Sequence, residues 1–399
     1  MYLSKIEEKM LDGEYGEAKA LALKLIVTLG EVFKAKKLIS IENAQIAGIS
    51  YKTIGDSGLE FIKDLYAKNA KFTVPTTLNP AGMDLEKWKE IGIPEDFAKK
   101  QLEIISFLEG MGAEKTCSCT PYLIGVKPRF NAHLAWAESS AVIFANSIFG
   151  AKTNREGGPS ALASAITGKT AMYGMHLKSE RKPTHIVKVE GSIINELEFS
   201  LLGYVIGEKI SKGVPFINKF KGKINLDNLK ALGAGIATSS GIALFHLENI
   251  TPEAKTLKNN LKNLEKIIIE KKDIEKAREK LSNEESSTHI LLGCPHLSLN
   301  ELKKIASFIK EKSLTKNLWC FTSRKIYEKA VKKGFVKKIE DAGGKVIKDT
   351  CMVVSPLEAI GVLKAQVNSS KAAYYLSSLS NIKVELKPLE EIKKIENKA

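Results

Sequence analysis

From residue 288 onward, short apolar stretches alternate with amphipathic ones. T-H-I-L-L-G (288–293) reads as a strand, and L-S-L-N-E-L-K-K-I-A-S-F-I-K after it as a helix, with Ser298 and Glu301 in capping-box positions. N-L-W-C-F-T (317–322) reads as a strand, 324–342 as helical, and K-V-I-K-D (345–349) as a strand. Strand–helix alternation of this kind calls for an α/β architecture. The pattern also runs upstream. Residues 4–36 suggest two helices broken at Asp12-Gly13, with Ser4 and Glu7 as a capping box. Residues 38–44 read as a strand, 47–58 as a loop, 58–69 as a helix, and K-F-T-V-P-T-T-L-N-P as a second strand. A helix is expected over 95–111, capped by Gly112, and another over 133–150, with a helix of small residues at 160–167. Residues 184–247 alternate again, and the charged segment 253–287 reads as a domain junction or an exposed βα unit. The expected organisation is N-terminal helices (1–36), a central α/β region with substrate loops (37–283) and a C-terminal α/β domain (284–399) carrying Cys294 and Cys351.

The formal net charge of +15 raises the question of a nucleic-acid binder. Only five of the 61 basic residues are arginine, the residue suited to bidentate phosphate and base-edge contacts. The lysines are interleaved with glutamate, as in E-K-K-D-I-E-K-A-R-E-K, which reads as a solvated helix face. A lysine-rich surface therefore accounts for the charge better than nucleic-acid binding does. Abundant Lys and Glu with only three Gln lean towards a thermophile. No run long and apolar enough for a membrane span or a secretory signal is present, so a cytoplasmic protein with reduced cysteines is expected.

Two of the five cysteines sit in T-C-S-C-T-P, as Cys117 and Cys119. A C-x-C spacing matches neither a thioredoxin-like pair nor an ordinary zinc knuckle. Cys294 lies just past one strand and Cys351 beside another, where ligands gather in open α/β sheets. Cys119, Cys294 and Cys351 could converge on one site. They could equally be buried small hydrophobes, which is the reading for Cys320 inside its apolar strand.

Polar residues keep company with these cysteines. Glu138, Ser139 and Ser140 interrupt an apolar run, and a carboxylate there is costly unless it is paired or exposed. A-G-I-S-Y-K-T-I-G-D and T-T-L-N-P-A-G-M-D are loops after strands, able to cradle an anion or simply to turn. N-S-S-K (368–371) offers two hydroxyls and Lys371 before a helix without matching a P-loop.

The stretches A-G-I-S-Y-K-T-I-G-D-S-G, T-L-N-P, C-T-P-Y-L, W-A-E-S-S-A-V-I-F-A-N-S, T-N-R-E-G-G-P-S, Y-G-M-H-L, G-C-P-H-L-S and D-T-C together resemble the large subunit of the aconitase X family over nearly the whole chain. The resemblance implies an aconitase-like fold of several doubly wound βαβ domains around a central iron–sulfur site, without the swivelling domain. It implies a [4Fe-4S] cluster on Cys119, Cys294 and Cys351, leaving Cys117 and Cys320 outside. Other aconitases carry two ligands as C-x-x-C, so the likeness is to aconitase X in particular. The implied substrate contacts are Gly48, Ile49, Ser50, Asn79, Pro80, Glu138, Ser139 and Lys371. Arg155 is a further residue that could pair a carboxylate or anchor its own loop.

Archaeal two-subunit members of this family dehydrate 5-phosphomevalonate, and others dehydrate cis-3-hydroxyproline. The lysine-rich composition and the separate, large-subunit-sized chain fit the archaeal type better, so the resemblance implies a hydro-lyase subunit of isoprenoid synthesis acting on a small phosphorylated carboxylate, with cis-3-hydroxyproline as the alternative substrate. Relatives of aconitase place a catalytic serine on the swivelling domain. Residues 372–399 are too few to form one, so a separate small subunit is expected to bring that base. Glu138, His176 and His296 are the catalytic candidates within this chain, the histidines as proton carriers or hydroxyl ligands or as satisfied structural residues. Neither nucleic acid nor membrane is expected as a partner.

Overall fold

A computed structural model describes residues 1–257, 261–283, 287–309, 314 and 316–391. The first section begins with helices α1 (Lys5–Leu11) and α2 (Glu17–Val32) and strands β1 (Leu38–Ser40) and β2 (Ala44–Ile46). Helix α3 (Tyr51–Ala67), strand β3 (Thr76–Leu78) and helices α4 (Trp88–Ile91) and α5 (Glu95–Gly110) follow. Strand β4 (Ala135–Trp136), helices α6 (Ser139–Phe144) and α7 (Gly158–Thr167) and strand β5 (Lys169–Ala171) complete it. The middle section runs β6 (His185–Val189), α8 (Glu196–Ile210), β7 (Pro215–Ile217), α9 (Leu226–Ser239), β8 (His246–Leu247), α10 (Ala254–Leu257), β9 (Glu265–Ile269) and α11 (Lys271–Leu281). The last section runs β10 (His289–Leu292), α12 (Leu299–Phe308), β11 (Asn317–Thr322), α13 (Arg324–Lys332), α14 (Phe335–Asp341), β12 (Lys345–Lys348), β13 (Lys364–Val367), α15 (Ser370–Ser380) and β14 (Lys383–Leu386).

The three larger sheets are parallel, as strand–helix alternation requires. In the last section the order is β12-β11-β10-β13-β14, so the winding reverses between β10 and β13. The middle sheet, β8-β7-β6-β9, reverses in the same way between β6 and β9. In the first section β2 lies between β3 and β4. One hydrophobic core runs beneath both the middle and last sheets, and a second fills the first section.

Helix α9 is the spine. Every residue from Asp227 to Thr238 is buried, and the helix packs on α8, α6 and α15, one from each section. Its approach to α8 is close because glycines face each other. A Cβ on Gly203 would lie 2.2 Å from the Leu232 carbonyl oxygen, and one on Gly235 would lie 2.1 Å from that of Ser200.

Both expected capping boxes form, at Ser4/Glu7 and Ser298/Glu301. Four expectations change. The strand expected at 38–44 is two strands, β1 pairing antiparallel with β5 while β2 joins the parallel sheet. Helix α3 begins at Tyr51, inside the expected loop, because Gly55 (φ 57°, ψ −160°) absorbs a kink that other residues resist. The helix expected at 133–150 starts only at Ser139, after β4, so Glu138 is its N-cap rather than a mid-helix carboxylate. Residues 324–342 form two helices, broken at Gly334 (φ 74°).

The α8–α9 contact yields a stability prediction. Gly235→Ala should lower stability by about 1–3 kcal/mol despite the gain alanine normally brings to a helix. Gly241, whose Cβ would meet nothing within 4 Å, should tolerate the same change to within about 0.5 kcal/mol. Urea unfolding of both variants measures the difference.

Candidate active site and cysteine centre

Three strand ends of the last sheet place the first groups. Strand β10 is followed by Gly293, whose φ of 114° and close approach to the Phe321 carbonyl exclude a side chain, and then by Cys294. Strand β12 leads through Asp349 and Thr350 to Cys351. Strand β13 leads to Ser369, the N-cap of α15, and to Lys371 in its first turn. The crevice outside β10 and β13 is the switch point of the sheet, where open α/β folds receive ligands. The Ser369 hydroxyl donates to the Cys294 carbonyl (2.5 Å), closing the two loops on each other. The first section supplies Cys119, from a loop fixed by the Ser118 amide on the Leu78 carbonyl (2.8 Å) and followed by the turn Pro121–Ile124.

His296 joins these loops. Its backbone N–H donates to the Cys119 sulfur (3.2 Å), its Nε2 meets the Thr350 carbonyl (2.9 Å), and it stands two residues beyond Cys294. The Lys230 ammonium of α9, ion-paired with Glu301, donates to the His296 carbonyl (3.0 Å). Burial lowers the imidazole pKa to about 4, so the ring is neutral.

Cys119, Cys294 and Cys351 line one cavity of about 140 Å³ with Asn79, Pro80, Glu138, Ser139 and Lys371. Val353, Val354, Tyr375 and Leu379 form the rest of its wall. All five cysteines are free and buried. Burial pushes the Cys119 thiol up to about 12, with the Glu138 and Cys351 charges adding to the effect. Burial raises Cys294 and Cys351 as well, while the Val354 and Val353 amides oppose the rise at Cys351.

Glu138 and Lys371 form an ion pair between the first and last sections, with side chains 14% and 8% exposed. Asn79 Nδ2 donates to Glu138 (3.0 Å), and the Ser140 hydroxyl donates to Glu138 (3.0 Å) while accepting from Lys371 (3.1 Å). Burial alone would raise the carboxyl pKa. The Lys371 charge and these hydrogen bonds outweigh it and hold Glu138 at about 2. Asn79 Oδ1 is buried and has no hydrogen-bond partner among the described residues.

The remaining sequence candidates lie elsewhere. Cys117 takes a left-handed φ of 41°, which turns it out of line with Cys119 and into the first-section core. Cys320 is core, as its strand suggested. Ser50 reaches the cavity wall indirectly, donating to the Val354 carbonyl (2.7 Å), while Gly48 and Ile49 line a neighbouring apolar cleft. His176 does not line the cysteine cavity. Its Nδ1 meets that of His133 (3.0 Å), and burial lowers its pKa to about 3. His296 does not line the cavity either, which leaves it a knot between loops rather than a group open to substrate. Arg155 donates to the Ser240 carbonyl (2.7 Å) beyond the far end of α9 and lines a different cavity. Ser140 and Ser369 act through hydrogen bonds to their neighbours. Ser140 was singled out with Glu138, and Ser369 is one of the two hydroxyls of N-S-S-K, whereas Tyr375 and the apolar wall left no signal in the sequence.

Three cysteines around one cavity are donors of the kind that hold an iron–sulfur cluster. Among the described residues no group of three His, Cys, Asp or Glu donors is placed to hold a single metal ion. A lone zinc needs its sulfurs about 2.3 Å from one point. A cluster spreads three thiolates over separate irons and gains from N–H donors to sulfur, which Cys119 has from His296.

Comparison with known proteins agrees with this reading of the fold. Family models for the aconitase X first, second and third domains match residues 1–179, 183–279 and 288–397. The phosphomevalonate dehydratase large subunit of Methanocaldococcus jannaschii is 51% identical over 99% of this chain and 100% of its own length. The cis-3-hydroxy-L-proline dehydratase of Pseudomonas aeruginosa is 30% identical over 94% of this chain and 67% of its own length. The crystal structure of Thermococcus kodakaraensis aconitase X in its holo-form superposes with a TM-score of 0.92 at 41% identity, covering 99% of this chain and 100% of that one. With three domain models spanning its length and such relatives on either side, the chain belongs to the aconitase X family.

Proposed function

We propose that this chain is the cluster-bearing large subunit of an iron–sulfur hydro-lyase that dehydrates (R)-5-phosphomevalonate to trans-anhydromevalonate 5-phosphate, in the cytoplasm of an archaeon. The observation that carries it is the meeting of Cys119, Cys294 and Cys351 with the Glu138–Lys371 pair in one cavity. The substrate assignment rests on the name of the 51% identical relative, which this chain matches over that protein's full length. No helix among the described residues is long and apolar enough to cross a membrane.

Cys119, Cys294 and Cys351 would hold a [4Fe-4S] cluster. One iron without a protein ligand would serve as a Lewis acid towards the substrate hydroxyl. The reaction removes that hydroxyl from a tertiary carbon and a proton from the CH2 beside the carboxylate, releasing water without redox change. The chain's own residues orient the substrate. Asn79 and Ser139 line the cavity with polar side chains, and Lys371 offers an ammonium to an anionic group. Glu138, kept ionised by Lys371, holds Lys371 and Asn79 in place rather than delivering a proton at neutral pH.

We infer that the base for the CH2 proton comes from outside this chain: among the described residues no histidine lines the cavity, and its one carboxylate and one amine are paired with each other. A volume of about 140 Å³ is also well below the roughly 300 Å³ at which small-molecule sites begin. Both points support a site completed by the small subunit that the relative's name implies, with the swivelling domain bringing a serine.

Three measurements follow. After anaerobic reconstitution, Cys119→Ser should lose most of its iron and Cys117→Ser should retain it. In the two-subunit complex, Lys371→Met should lower kcat, corrected for iron content, about 100-fold or more, and should itself reduce iron uptake because it strands the Glu138 charge beside the cysteine loops. Supplied with each substrate separately, the complex should form the anhydro product from 5-phosphomevalonate and leave cis-3-hydroxyproline unchanged. The opposite preference would overturn the assignment.

A further inference from the structure

A second cavity, of about 1080 Å³, opens at the far end of α9 from the cysteines. Lys230, near the start of that helix, touches His296, while Arg155 binds the Ser240 carbonyl just past its end. Ten helical residues separate the two positions, a rise of about 15 Å, so the cavity is distinct from the cysteine site.

Five cations line it. Lys34, Lys36 and Lys37 come from the turn after α2, Arg155 from the loop before α7 and Lys212 from the turn after α8. Glu180 is the only carboxylate in the lining, and none of the five forms an ion pair among the described residues. A lysine-rich surface explains three neighbours in sequence. It does not explain Arg155 and Lys212 arriving at the same cavity from distant parts of the chain.

The cavity also has an apolar shelf. The rings of Phe33 and Tyr173 stack at 4.4 Å with an interplanar angle of 1°, and both line it beside Met172 and Met175. Phe33 remains 52% exposed. A cavity at the upper end of small-molecule sites, apolar on one side and multiply cationic on the other, suits an amphiphilic polyanion. One phosphate brings a charge of only about −1.5 to −2, too little to match five cations.

We propose that this cavity binds an organic di- or triphosphate, its phosphates among Lys34, Lys36, Lys37, Arg155 and Lys212 and its apolar or planar body against Phe33 and Tyr173. The inference does not depend on the dehydratase reading. A titration of the assembled two-subunit complex with inorganic pyrophosphate, ADP and a short alkyl diphosphate tests it. Saturable binding of ADP or the alkyl diphosphate, tighter than that of pyrophosphate, is expected. The doubly charge-reversed variant Lys36→Glu/Lys212→Glu should weaken it about tenfold or more, and Phe33→Ser should weaken the organic ligands but not pyrophosphate. Cys119→Ser should leave it intact. Absence of saturable binding, or binding unaltered in the charge-reversed variant at an unchanged melting temperature, would overturn the proposal. Binding by the isolated large chain that disappears in the complex would also overturn it, making the cavity a subunit contact.

Discussion

The ion pair between Glu138 and Lys371 is the contact on which the rest of the site depends. It joins an N-cap carboxylate of the first section to an ammonium in the first turn of the last helix. A buried pair of this kind adds little net stability compared with apolar residues, but losing one partner strands a buried charge at a cost of about 3–5 kcal/mol. Each charge here is further fixed, Glu138 by Asn79 and Ser140, and Lys371 by Ser140. Two separate sections are therefore held in register at the point where the three thiols meet.

A second set of contacts serves the thiols themselves. Each cysteine stands on a different loop, and one residue, His296, touches two of those loops and belongs to the third. Lys230 holds that residue from behind, from the buried helix α9. The close, glycine-lined packing of α8 against α9 thus reaches the site through Lys230. In this arrangement His296 acts through its neutral, hydrogen-bonded ring and its backbone, and gains nothing from changing protonation.

Much of the fold was legible in the sequence. The strands β10, β11 and β12 and the capped helix α12 followed from apolar runs and capping residues, because those signals are local. The start of the helix at Ser139 was not legible, since Leu134, Ala135 and Trp136 are as fully buried at strand β4 as they would be in a helix. Nor was the split of 38–46 between two sheets, which is decided by partners far away in sequence. At the site, Cys119, Asn79, Glu138 and Lys371 were picked out by unusual chemistry within apolar or glycine-containing stretches and by family likeness, and they line one cavity. His176 and Arg155 have the same chemical promise in sequence, yet they lie in other parts of the structure. Residue type alone does not report direction, and only the left-handed turn at Cys117 shows why two cysteines one residue apart part company.

Three distant cysteines meeting as one cluster site would show in the metal content. Iron and sulfide analysis of the anaerobically reconstituted chain, together with its visible absorption, measures this. A brown protein with about three to four irons per chain and sulfide in similar amount is expected. A colourless protein without iron, or one that takes up a single zinc ion instead, would contradict it.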